Sequence, residues 1–142
     1  MKINYWKYLK AFFAILYFSS LFACEVSEDR SPEAVAVNLV KANLNNDVET
    51  IKSLYHSDII LAIEKKSGTN FEKSIKVGKK NTDNEKGYKV SMVDCSKKDD
   101  LIIVVVKQEN LDQNVSKRNK DKYYVISLAD ENGEWKVVEV NK

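Results

Sequence analysis

The hydrophobic period of this chain changes once along its length, and that change restricts the fold more than any other feature. Ser31-Pro32-Glu33 has the pattern of a helix start: a capping hydroxyl, a proline suited to the first turn, and an acid at the positive end of the dipole. Val35, Ala36, Leu39, Val40 and Leu44 follow at helical spacing, and Asn45-Asn46 interrupts them. Asp47 then caps a second stripe of Val48, Ile51, Leu54 and Tyr55, and a third helical piece is expected over Asp58 to Lys65, before Gly68. After residue 86 the runs become strand-like: Tyr88 to Val93, Leu101 to Lys107, Tyr123 to Leu128 and Trp135 to Val140. Lys97-Lys98-Asp99-Asp100 and Asn132-Gly133 supply turn chemistry between them, while Asn110 to Lys120 forms a longer polar loop. Helices first and strands afterwards predict an α+β domain, its helices packed on one face of a curved antiparallel sheet of about four strands.

Ahead of this domain lies a segment of different character. Met1 to Lys10 carries Lys2, Lys7 and Lys10, and Ala11 to Ala23 follows as an uncharged run of 13 residues. A basic stretch, a short apolar core and a small residue before a cleavage point are the parts of a secretory signal. A spanning helix needs about 20 apolar residues, and the charged EVSEDR prevents extension of the run. Leu21-Phe22-Ala23-Cys24 resembles the lipobox of bacterial lipoproteins, although Phe22 is bulkier than the residue usual there. The resemblance implies a signal peptide over 1–23, cleavage after Ala23, and acylation of Cys24 with palmitate-type chains. Several chains at about 0.8 kcal/mol per buried methylene make a stable anchor. Residues 24–30 then form a tether; Glu25 to Arg30, fully stretched, reaches only about 20 Å, which keeps the domain at 31–142 near the bilayer.

Charge excludes one class of partner. The three leader lysines account for the excess among 23 basic and 21 acidic residues, since no acid precedes Cys24. What remains, 20 against 21, is close to neutral and has no global field to attract nucleic acid. Cys95 is the only other cysteine, and a lipidated Cys24 cannot pair with it. A buried or inert thiol is the expectation.

SPEAVAVNLVKANLNND, a second helix ending near Leu54 and the closing hairpin ENGEWKVVEV together resemble the nuclear-transport-factor-2-like superfamily. More narrowly, they resemble small bacterial lipoproteins with that cone-shaped fold. The likeness spans roughly residues 31 to 140 and consists of packing and turn signals. It implies a pocket between sheet and helices, used by some members for catalysis and by others for binding or dimerisation.

Chemistry-bearing constellations are few. His56, the single imidazole, could act as a general base with Asp58 as its orienter. The plainer expectation places it at a helix C-terminal end, where histidine favours the negative dipole terminus. Lysines 65, 66, 73, 76, 79 and 80 could meet anionic headgroups, but such a stretch more commonly forms a solvated face. Asp99-Asp100 and Asp130-Glu131-Asn132 lack calcium-loop spacing, and no zinc set, phosphate loop or nucleophile elbow is present. No cofactor, metal site or catalytic residue is therefore assigned.

The leading expectation is a lipid-anchored binding or interaction domain of the cell envelope, facing periplasm or exterior. Glu25, rather than aspartate, after the cysteine favours the outer membrane in a Gram-negative cell. The alternatives are a pocket enzyme using His56 or Asp58, and a protective or exclusion factor that blocks another protein. Leu101 to Val106 is apolar at every position, so both sheet faces receive hydrophobic side chains while helices cover one. A homodimer through the outer face, an envelope partner protein, or a C-terminal segment folding over it would each hide the other.

Overall fold

The computed structural model describes residues 30–75, 79–112 and 121–142. The expected signal peptide, Ala23 and Cys24 lie outside the described residues, as do Lys76 and most of the loop after Asn110. Among those described, no helix is long and apolar enough to cross a membrane.

Four α-helices precede four strands among the described residues. Helix α1 spans Pro32–Leu44; Ser31 Oγ accepts the Ala34 amide at 3.1 Å, and Asn46 leaves the helix at φ 53°. Val35, Ala36, Leu39, Val40 and Ala42 are buried along one face. Each buried Val or Leu contributes roughly 1.5–3 kcal/mol, so packing rather than intrinsic propensity holds this helix. Helix α2 spans Val48–Leu54 under an Asp47 cap, α3 spans Ser57–Ser67, and Gly68 ends α3 at φ 67°. The short α4, Phe71–Ser74, was not signalled by periodicity; it places the fully buried Phe71 against Tyr55, ring centroids 5.8 Å apart.

Strands β1 (Tyr88–Lys98), β2 (Leu101–Asn110), β3 (Asp121–Glu131) and β4 (Glu134–Asn141) form an antiparallel meander in that order. Each contains the run expected of it. Asn132 and Gly133, at φ 57° and 86°, make the tight turn that matches strand twist. Val104, Val106, Ile126, Leu128 and Val137 line the helix-covered face and are fully buried. On the opposite face Ile103 and Val105 are half-buried, and Tyr123 and Val125 remain 50% and 39% exposed. Ser127, short and set among larger neighbours, is the buried exception on that face.

The two sheet edges differ. Beside β4, the extended Tyr55–His56 segment adds a bridge to Val137, with the His56 amide donating to its carbonyl at 3.0 Å. Beside β1 the described residues place no further strand. Val93 is an extra residue there, bulged between Met92 and Asp94.

Two sequence expectations need correction. Cys95 is exposed, not buried: it shares the inner face with Val104, but β1 is an edge strand that α1 covers only in part. Partial desolvation and the neighbouring Glu33 carboxylate both push its thiol pKa up. His56 does not close a helix but opens one, because α2 stops at Leu54 so that Tyr55 and His56 can pair with β4.

Candidate functional site

A cavity of about 230 Å³ lies between α1 and the sheet. Helix α1 contributes Leu39, Val40 and Asn43, the link between α2 and α3 contributes Tyr55, and β3 contributes Tyr124 and Ile126. Val140 and Lys142 close it from β4 and the residues after it. Leu39 and Ile126 form a dry floor, at 1% and 0% exposure, whereas Asn43 and Lys142 stand at the exposed rim.

The polar groups of the cavity differ in how far they are engaged. Tyr124 donates its hydroxyl to Gln108 Oε1 at 2.7 Å, and Gln108 is itself buried, continuing the inner-face alternation of Val104 and Val106. Asn43 Nδ2 donates to the Leu39 carbonyl at 2.9 Å, which orients the amide and leaves Oδ1 as an acceptor. Burial pushes the Tyr55 phenol pKa up, so this group stays protonated and able to donate. Among the described residues the Tyr55 hydroxyl has no hydrogen-bond partner and Lys142 has no carboxylate partner; the ammonium rests 5.8 Å from the Tyr124 ring centroid.

A second cavity, about 270 Å³, is bordered by Arg30 and Val35 at the start of α1, Ser53 and Leu54 of α2, and Glu134 to Lys136 of β4. Its lysine is already satisfied: Lys136 Nζ lies 2.9 Å from Glu134 Oε2 and donates to the Ser53 carbonyl at 2.8 Å. That ammonium holds the Glu134 carboxyl below its ordinary pKa.

The proposed base lies in neither cavity. His56 Nδ1 accepts the Asp58 amide at 3.3 Å as the cap of α3, and a nitrogen lone pair used that way cannot also donate to the Asp58 carboxylate 3.9 Å away. Asp58 therefore does not orient the ring as a general base would require. Glu131, read from the sequence only as part of an acidic turn, caps the same helix. It accepts from the Ser57 amide at 3.1 Å and from the Ser57 hydroxyl, which lowers its pKa. It also stands 3.7 Å from His56 Nδ1. Because the serine proton is directed at Glu131, serine, histidine and acid are adjacent without forming a nucleophilic relay.

Among the described residues no group of three or more His, Cys, Asp or Glu side chains could hold a metal. The lysine stretch is dispersed: Lys65, Lys66, Lys73 and Lys79 are exposed, and Lys80 pairs with Asp47 at 2.9 Å. The sequence reading missed Asn43 and Gln108, although each continues an apolar stripe as a polar exception that could have revealed it, whereas Lys142 and Tyr55 acquire their place only through the register of β4. Protein families, curated proteins and solved structures were compared with the chain, and none matches.

Proposed function

We propose that this chain is a lipid-anchored binding domain of the cell envelope, cleaved after Ala23, held by acyl chains on Cys24 and displayed toward periplasm or exterior. In a Gram-negative cell, Glu25 favours the outer membrane. On this reading the helices and sheet form a cone of the nuclear-transport-factor-2-like kind, and the cavity beside Lys142 receives the ligand. One observation carries it: that cavity presents a donor, an acceptor and a cation that the described residues leave available, above an apolar floor. The enzyme alternative has less support, since His56 is engaged as a helix cap away from the cavity.

Cys24→Ser tests the anchor. The variant should leave the detergent-partitioning membrane fraction and lose the acyl mass carried by the wild type. Unchanged partitioning, with no acyl mass on the wild type, would end the lipoprotein reading.

The half-exposed outer face supports a second proposal, a homodimer through β2 and β3. Light scattering should then report a dimer that Val125→Lys converts to a monomer. A monomeric wild type at high concentration would reject it.

A further inference from the structure

We propose that the cavity beside Lys142 takes a small monocarboxylic acid with an apolar, chain-like or aromatic body. This rests on the cavity being the binding site, and it adds the chemical class of the ligand.

Size sets the first limit. At about 230 Å³ the cavity falls below the roughly 300–1,000 Å³ of drug-sized clefts, so it suits a compact molecule. Polarity sets the second. Leu39, Val40, Ile126 and Val140 supply walls with nothing to hydrogen-bond, so the inner part of the ligand must be hydrocarbon. Among the described residues at the rim the only cation is Lys142, and its charge matches one negative charge rather than two.

The remaining groups separate a carboxylate from a phosphate. A phosphate dianion is held by several donors or by successive backbone amides, whereas the described lining here supplies one ammonium and one uncommitted phenol. Asn43 turns its carbonyl oxygen outward, because the Leu39 carbonyl can only accept and so fixes the amide nitrogen. That oxygen would repel a second anionic charge, yet it can accept from a hydroxyl or N–H elsewhere on the ligand. The Tyr55 phenol, kept protonated by burial, donates to one carboxylate oxygen while Lys142 neutralises the other. In the second cavity Glu134 already occupies this role toward Lys136, an internal carboxylate on a lysine beside an aromatic ring.

The test uses the full-length chain in lipid nanodiscs, titrated calorimetrically with 3-phenylpropionate and with its uncharged counterpart 3-phenylpropanamide, against empty nanodiscs. The acid should bind more tightly than the amide. Lys142→Met should weaken the acid about fivefold or more while leaving the amide within twofold, as expected for a partly solvated charge-assisted bond. Tyr55→Phe should weaken both, since a phenol can donate to either carbonyl oxygen. Equal binding of acid and amide, or equal weakening of both by Lys142→Met, overturns the carboxylate assignment but leaves the cavity as a binding site. If neither probe releases heat above the empty discs, the assignment and the binding reading of the cavity fall together.

Discussion

Two cavities beside α1 resemble each other in inventory and differ in what they leave available. Each lies beside α1, each has an aromatic wall (Trp135 in one, Tyr55 and Tyr124 in the other), and each has a lysine at its border. The larger has its lysine closed off by Glu134 and the Ser53 carbonyl, and its second cation, Arg30, lies in the field of the same Glu134. The smaller keeps an ammonium and a phenol without such partners. Volume alone would select the first; a cation with no carboxylate beside it selects the second. An unpaired group beside an apolar floor is retained at a cost in stability, which a ligand can offset.

The largest expected effect comes from the floor of the smaller cavity. Leu39→Ala should cost about 2–5 kcal/mol in urea denaturation, because the side chain is 1% exposed and the rigid sheet beneath cannot collapse into the space. Val35→Ala, bordering the larger cavity, removes fewer carbons and should cost less. Equal costs would mean that the two regions share one deformable core. Next in size is Tyr124→Phe, which takes away the donor to the buried Gln108 oxygen and should cost about 1–3 kcal/mol, with Gln108→Leu restoring part of it. A neutral Tyr124→Phe would show that solvent already reaches this pair.

The smallest effect tests the contrast directly. Glu134→Gln should free Lys136 and give the larger cavity a weak affinity for the same carboxylate probe, with little change in the denaturation midpoint. Acid cannot replace the substitution. Lys136 depresses the Glu134 pKa, so the pair's contribution is complete above the ordinary carboxylate value and is lost as pH falls through the depressed folded value. The probe's own carboxyl is neutralised before that point, so binding is read near neutral pH by chemical shifts of Trp135. A larger cavity that stays silent in Glu134→Gln would mean that an available lysine is not what distinguishes the two.

Local chemistry made much of the fold legible in advance. The Ser31 cap, the α1 stripe, four β-rich runs and Asn132-Gly133 each depend on neighbours in sequence, and each appears where local rules put it. Whatever depended on strand order was not legible. His56 was expected to end a helix because its own neighbours permit that; the Val137 carbonyl, 81 positions later, decides otherwise. Cys95 was expected to be buried or inert because it is a lone thiol with no basic neighbour, but exposure follows from β1 lying at an edge. The candidate site was missed altogether. Asn43 and Gln108 carried a local signal that went unused, a polar residue continuing an apolar stripe, whereas Lys142 is one exposed lysine among many until β4 brings it to the Tyr124 ring.

The open edge at β1 bears on how the protein behaves in company. Eleven residues of strand whose outward amides pair with no other described strand form a template onto which another chain could grow, and the proposed confinement of many copies to one surface would raise the frequency of such encounters. Lys89, Lys97 and Lys98 are all exposed on this strand, and in an antiparallel self-pairing centred on Val93 the lysines at 89 and 97 would face each other across the seam. The extra residue at Val93 bends the ladder at the centre of that seam. Like charge and a bulge together make the edge resist sheet-to-sheet polymerisation, which is what the proposed crowding on a membrane would require of it.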